Sequence, residues 1–158
     1  MMYSAGVITV SDRAYSGQYA DKAGPAVADL LKENGYDVSD TVIIPDEKNK
    51  ITEALLSLCK QHISLIVTTG GTGFSVRDVT PEATREILEK EAPGITEYMR
   101  MKSMEITPRA MLSRGVCGIT DKSLIINLPG SPKAATENLS FVLPHLTHGP
   151  DILNGMTE

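Results

Sequence analysis

The segment from Ser64 to Thr84 constrains the fold more than any other part of the chain. Ser64-Leu65-Ile66-Val67 is a short apolar run rich in β-branched residues, which predicts a buried strand. Thr80-Pro81-Glu82 predicts a helix start, with Thr80 as N-cap, Pro81 in the first helical position and an acid in the first turn. Between them stand three glycines within four residues, Gly70, Gly71 and Gly73, followed by the Arg77-Asp78 pair. Glycine turns the backbone where a Cβ would clash, so such a loop can bring N–H groups close to an anion. An ordinary glycine-rich turn is the competing reading. The loop is not a Walker A motif, because no Lys-Ser/Thr follows the last glycine. Nor is it a full dinucleotide fingerprint, since Gly71-Thr72-Gly73 has no third glycine after it.

The remaining chain supplies the context of a parallel sheet. Gly6–Val10 predicts a first strand, and Ala14 to Lys22 a polar loop. A helix opens at Pro25 with Val27, Leu30 and Leu31 on one face and ends at Gly35. Asp37–Ile44 is a second strand, ending in Pro45-Asp46-Glu47. Lys48 to Gln61 is a helix with Ile51, Leu55 and Leu58 aligned. A helix to about Lys90 breaks at Ala92-Pro93-Gly94, and a methionine-rich helix covers Ile95 to Met104. Thr107-Pro108 begins a short helix ending at Ser113-Arg114. Val116–Ile119 and Leu124–Leu128 flank a hairpin turn. Ser131 caps a last long helix that runs to about Leu146, with a loosely held tail from Gly149. Strands alternating with helices imply right-handed crossovers and a sheet covered on both faces.

With 158 residues, the expectation is one domain. A net charge of -5 argues against nucleic acid as a partner, and no apolar run reaches membrane-spanning length. No secretory leader is read. Cys59 and Cys117 form no C-x-x-C pair, so buried thiols and a cytoplasmic setting are expected. His145 and His148 have no acidic or Cys companions that would make a metal site.

In an open parallel sheet, ligands bind beyond the carboxyl ends of the strands. Four polar or glycine-rich segments fall there: Ser11-Asp12-Arg13, Pro45-Asp46-Glu47, Gly70 to Asp78, and Asn127 to Lys133. They bring two helix starts together with the cations Arg13, Arg77 and Lys133 and the carboxylates Asp12, Asp46 and Asp78. Carboxylates beside a phosphate site repel the ligand unless a cation bridges them, and Mg²⁺ does so naturally. Against this, Asp12 and Asp46 could be mere turn or cap residues, and Arg77-Asp78 a mere surface pair.

Several stretches together resemble the molybdopterin adenylyltransferases: Thr69-Gly70-Gly71-Thr72-Gly73-Phe74, Arg77 to Thr84, Pro45-Asp46-Glu47, Ile106 to Arg114, and Asn127 to Pro132. The resemblance spans Val7 to the last helix. It implies a molybdopterin-binding fold: an α/β, three-layer α/β/α sandwich with a mostly parallel sheet plus a hairpin. It implies transfer of AMP from ATP, with Mg²⁺, to the terminal phosphate of molybdopterin, releasing pyrophosphate, in molybdenum cofactor biosynthesis. Asp46 and Asp78 match the essential carboxylates and metal ligands. Thr72, Ser113 and Asn127 match positions lining the pterin and nucleotide site. The expected binding set also includes Ser11, Asp12, Gly70, Gly71, Gly73, Arg77, Pro129, Gly130, Ser131 and Lys133. A homotrimer is implied, with a downstream molybdenum insertase as a candidate partner. The alternative is a non-catalytic molybdopterin-binding protein of the same fold; relatives of that kind lose the Arg-Asp-Val-Thr and Pro-Asp-Glu patterns kept here. A nicotinamide oxidoreductase would need the missing glycine and a ribose-binding acid at the next strand end.

Overall fold

The apolar and amphipathic runs fold as alternating strands and helices in a computed structural model that describes residues 2–155. In chain order they are β1 (Ser4–Val10), a one-turn helix α1 (Asp12–Tyr15), α2 (Ala23–Glu33), β2 (Asp37–Ile44), α3 (Lys48–Lys60), β3 (Leu65–Thr69), α4 (Thr80–Ile87), β4 (Lys90–Glu91), α5 (Pro93–Met104), a 3-10 turn (Pro108–Leu112), β5 (Cys117–Thr120), β6 (Ser123–Leu128), α6 (Pro132–Leu146) and α7 (His148–Leu153). Gly35, at φ 87°, adopts the left-handed conformation that ends α2 and turns the chain into β2. Among the described residues no helix is long and apolar enough to cross a membrane.

The six strands form one sheet in the order β2-β1-β3-β6-β5-β4. β2, β1, β3 and β6 run parallel, and only β5 opposes its neighbours. The hairpin turn at Asp121-Lys122 therefore joins β5 to a strand that also pairs with β3. From β1 the chain crosses to β2 on one side, then returns over β1 to reach β3 on the other. Right-handed crossovers put α2 and α3 on opposite faces, and the order reverses between β1 and β3. Two cores follow from strand alternation. Val7, Leu65, Val67, Ile126 and Leu128 pack with α2, α5 and α6, while Ile8, Val10, Ile66 and Ile125 pack with α3 and α4. Each fully buried Leu or Ile contributes roughly 1.5–3 kcal/mol. A one-residue slip would exchange the two sets of side chains, so the register is strongly fixed.

Some segments differ from the sequence expectation, each for a local reason. The polar loop after β1 begins with α1, a single turn held by Ser11 Oγ accepting from Ala14 N–H at 3.2 Å. Four residues are too short to show helical periodicity. The helix expected to reach Lys90 ends at Ile87, and Lys90–Glu91 extends the sheet by pairing with β5. Pro93 starts α5 rather than breaking a helix. The tail is also ordered into α7, where Pro150 is buried and Tyr3 donates to Asp151. That contact pushes the Tyr3 phenol up to about 12, because its proton is held by the carboxylate.

Asn127 ties the sheet to its α4 side. Its amide nitrogen donates to Thr68 Oγ1 and Thr84 Oγ1, both at 3.0 Å, and its oxygen accepts from Val116 N–H at 3.1 Å. All four groups are buried, so removing the amide leaves Thr68 Oγ1 and Val116 N–H without a partner among the described residues and takes one of the two bonds of Thr84 Oγ1. Asn127→Ala should lower unfolding stability by about 2–4 kcal/mol. Chemical denaturation of the pure protein measures this, and a loss below about 1 kcal/mol would contradict the bridging role.

Candidate active site

The glycine loop leaves β3 at Gly70 and turns left-handed twice, at φ 93° for Gly70 and 69° for Gly71. A Cβ on Gly70 would stand 2.3 Å from Val10 O, and one on Gly71 would stand 2.2 Å from Thr80 Oγ1. Two residues then clamp four successive carbonyls. Thr80 Oγ1 donates to Gly70 O at 3.0 Å, and Thr80 N–H to Gly71 O at 3.1 Å. Arg114 N–H donates to Thr72 O at 2.9 Å, and Arg114 Nε to Gly73 O at 2.8 Å. The same guanidinium reaches Asp78 O at 2.9 Å and Glu82 Oε2 at 2.7 Å, holding the Glu82 carboxyl below its usual range. In a trans peptide the following N–H points opposite to the carbonyl. The amides of residues 71–74 therefore turn away from this clamp, and none has a partner among the described residues. Thr80 is the first helical residue and Val79 the cap position, so the expected Thr80 cap is not formed. Its hydroxyl is spent on the loop.

Carboxylates gather beside this row of amides. Asp12 and Asp46 exchange bonds: Asp12 N–H donates to Asp46 Oδ2 at 2.8 Å, and Asp46 N–H to Asp12 Oδ1 at 3.0 Å. They thus join the carboxyl ends of β1 and β2. Arg77 forks onto Asp12, with Nε at 3.0 Å and Nη2 at 2.9 Å, rather than pairing with its neighbour Asp78. This contact holds the Asp12 carboxyl below the ordinary range. Burial pushes Asp46 up, and the nearby Asp12 and Asp78 charges add to that. Asp78 Oδ2 accepts from Ser75 N–H at 2.9 Å, and Gly73 permits the approach, since a Cβ there would stand 2.9 Å from the same oxygen. Asp46 Oδ1 and Asp78 Oδ1 accept no hydrogen bond among the described residues. They are hard oxygen donors in a locally negative setting, which suits a divalent cation. Among the described residues no three His, Cys, Asp or Glu side chains converge as a metal cage. Ligand oxygens would have to complete such a shell.

A cleft of about 1040 Å³ opens over the carboxyl ends of β1 and β3. Of the sequence-derived set, Ser11, Asp12, Asp46, Gly70, Gly71, Arg77, Asp78, Gly130 and Ser131 line it. Gly130 lies against the glycine loop, where a Cβ would stand 3.3 Å from Gly70 Cα. Ser131 Oγ caps α6 by accepting from Ala134 N–H at 3.1 Å. Thr72 and Gly73 form the clamped course of the loop, Pro129 joins β6 to Gly130, and Asn127 lies behind in the buried bridge. Ser113 borders a separate hollow of about 350 Å³. Lys133 is exposed and pairs with Glu137 at 3.9 Å, away from the cleft lining. Arg13 lines the cleft and faces the Tyr19 ring at 5.3 Å. Sequence reasoning passed over Thr9, Tyr19, Asp21 and Thr69, which also line the cleft, and Thr80 and Arg114 as loop anchors. Asp21 and Tyr19 fall in a segment with no periodic signal. Arg114 declares its role only when 41 residues of separation are folded away.

Comparison with known proteins agrees with this geometry. A family model described as "probable molybdopterin binding domain" matches residues 6–148. The molybdopterin adenylyltransferase of Helicobacter pylori strain J99 is 43% identical over 153 residues, spanning 95% of this chain and 87% of that protein. The molybdopterin biosynthesis enzyme MoaB of Thermus thermophilus superposes with a TM-score of 0.92 at 43% identity, covering 98% of each chain. The molybdopterin biosynthesis Mog protein of Mycobacterium ulcerans gives 0.90 at 37% identity, covering 96% of this chain and 99% of that one. Matched along nearly its whole length in sequence and in fold, the chain belongs to the molybdopterin-binding family of molybdenum cofactor biosynthesis proteins.

Proposed function

We infer that the cleft adenylylates molybdopterin: an oxygen of its terminal phosphate attacks the α-phosphorus of ATP, and pyrophosphate leaves. The observation that carries this reading is the cleft-lining Gly71, first of the partnerless amides at residues 71–74, beside Asp46 and Asp78, which also line the cleft and each keep one oxygen unengaged. The reaction brings two anions together, so the protein's task is positioning and charge neutralisation rather than covalent catalysis. The loop amides bind phosphate oxygens, and the clamp by Thr80 and Arg114 holds them aimed before the ligand arrives. Arg77 keeps Asp12 neutralised, so an incoming polyphosphate meets one fewer bare carboxylate. Asp46 and Asp78 would hold Mg²⁺, which when bound neutralises charge on the transferring phosphates. A phosphate nucleophile is already ionised at neutral pH, and the cleft lining contains no His or Cys to act as base or nucleophile. The relatives named molybdopterin adenylyltransferase support the same reaction. A cleft of this size stands at the upper end for small-ligand sites, as two substrates require.

The chain's setting follows from the same family. Cys59 and Cys117 are buried free thiols, and burial pushes Cys117 up to about 12, which suits a reducing cytoplasm. On α5, Tyr98, Met101 and Met104 are exposed, with Met111 and Leu112 close by in sequence. We assign this apolar surface to a homotrimer, and the product to hand-off toward a molybdenum insertase. Sedimentation at micromolar concentration should give about three times the 17.0 kDa chain mass; a persistent single-chain species removes the trimer.

Incubation with molybdopterin, ATP and Mg²⁺ should yield adenylylated molybdopterin and pyrophosphate by chromatography. Asp46→Asn and Asp78→Asn keep shape and remove a hard donor, so each should slow turnover by about 10²-fold or more while molybdopterin still binds. Near-normal velocity in both, across a Mg²⁺ titration, would eliminate the carboxylate role. A non-catalytic binding protein would retain molybdopterin and form no product.

Arg114→Lys separates aim from charge. Lysine keeps the charge but cannot supply Nε and both terminal nitrogens to three acceptors. Its turnover should fall by about tenfold or more with a stability loss of about 1–2 kcal/mol. Wild-type turnover in that variant would show that the fork is not what aims the loop.

A further inference from the structure

The cleft continues across the sheet edge to the α2 face, where a second set of polar groups is assembled. Thr68 faces Asn127 and Thr84, so the next residue, Thr69, faces the α2 and α6 side. It is 1% exposed and lines the cleft, yet its Oγ1 is shut off from solvent and has no hydrogen-bond partner among the described residues. Its register partner on β1 is Thr9, whose hydroxyl donates to Asp21 Oδ2 at 2.7 Å. Asp21 Oδ1 accepts from Gly24 N–H at 3.0 Å. Gly24 is what lets the carboxylate lean over the start of α2, because a Cβ there would stand 2.3 Å from Asp21 Oδ2 and 2.5 Å from Thr9 Oγ1.

A buried hydroxyl without a partner costs free energy unless a ligand satisfies it. We propose that Thr69 and Asp21 form the subsite for the vicinal diol of the nucleotide's ribose. Each Asp21 oxygen already accepts one bond and retains another lone pair, while Thr69 can both donate and accept. A diol offers two O–H donors and two acceptor oxygens, which matches that inventory. Position agrees as well. Thr69 immediately precedes Gly70, and the partnerless amides start at Gly71. A ribose and its 5′-phosphate, one methylene apart, span the same step. The subsite rests on reading the cleft as an ATP site.

The test is calorimetric titration of the full chain, with Mg²⁺ present, using ATP and 2′,3′-dideoxy-ATP. The wild-type protein should bind ATP about ten- to a hundredfold more tightly than the analogue. In Thr69→Val and Asp21→Asn the preference should shrink to within about twofold, with Thr69→Ser restoring it; thermal melts establish that each variant is folded. Equal binding of both nucleotides by the wild type would overturn the subsite. So would variants that keep the full preference and instead raise the KM for molybdopterin. Product assays on the same samples report separately on adenylyl transfer. Preference without product upholds the subsite and removes the proposed reaction; product without preference does the reverse.

Discussion

Four successive carbonyls of the glycine loop, from Gly70 to Gly73, are held from one side by Thr80 and Arg114. Everything the cleft can do with an anion depends on that clamp. Were these carbonyls free to rotate, they would present negative edges to a phosphate as readily as the amides present positive ones. Fixing them removes the choice and sets the amide row before binding, which is where electrostatic preorganisation gains its strength. The clamp also explains the glycines at 70 and 71. The backbone must take positive φ and pass close to Val10 O and Thr80 Oγ1, and no side chain fits there.

The carboxylates add a complementary constraint. Asp12 and Asp46 serve as turn partners for one another and line the cleft at the same time. The structural and functional readings of these residues are therefore not alternatives. One oxygen of Asp46 locks β1 to β2, leaving the other to a ligand. Arg77 neutralises Asp12, yet Asp46 and Asp78 share the neighbourhood with no cation of their own within bonding distance among the described residues. Burial raises the cost of Asp46's charge, and a cation at its unengaged oxygen would relieve that cost. Raised affinity of a carboxyl for its proton and readiness to take a metal have the same electrostatic origin here.

The fold was legible in the sequence wherever a segment was long enough to carry a period. β2 is bounded correctly at Asp37–Ile44 and α3 to within a residue, while the hairpin turn read at Thr120-Asp121-Lys122-Ser123 tightens to Asp121-Lys122, because Thr120 and Ser123 already pair across the two strands. What escaped was short or held from a distance. α1 has four residues and β4 has two, so neither can display periodicity. α7 depends on Tyr3 at the other end of the chain, which no local pattern reports. The candidate site divides in the same way. The glycine loop and the Asp46 and Asp78 segments were visible as strand-end motifs. Arg114 stood inside a quoted stretch, but its function as a fork onto Gly73 and Asp78 exists only in three dimensions. Arg13 does line the cleft, facing the Tyr19 ring that lines it too, whereas Lys133, read as a cleft cation on its charge, pairs with Glu137 outside the lining.

The end of β3 shows why residue type alone could not assign these roles. Thr68 and Thr69 are chemically identical neighbours, both buried, on a strand with apolar contacts at each preceding position. Alternation sends Thr68 toward α4, where it accepts from the Asn127 amide that also bonds Thr84, and so becomes part of the scaffold. It sends Thr69 toward α2, where nothing among the described residues answers its hydroxyl. A scaffold threonine and a cleft threonine thus differ only in the face on which the strand presents them. The reversal of strand order between β1 and β3 decides which face opens to ligand. Because α2 and α3 leave that point on opposite sides, neither helix covers the strand ends. The partnerless loop amides and the unanswered hydroxyl then lie together at the carboxyl ends of β1 and β3. One topological feature accordingly supplies both the cleft and the division of labour along its rim.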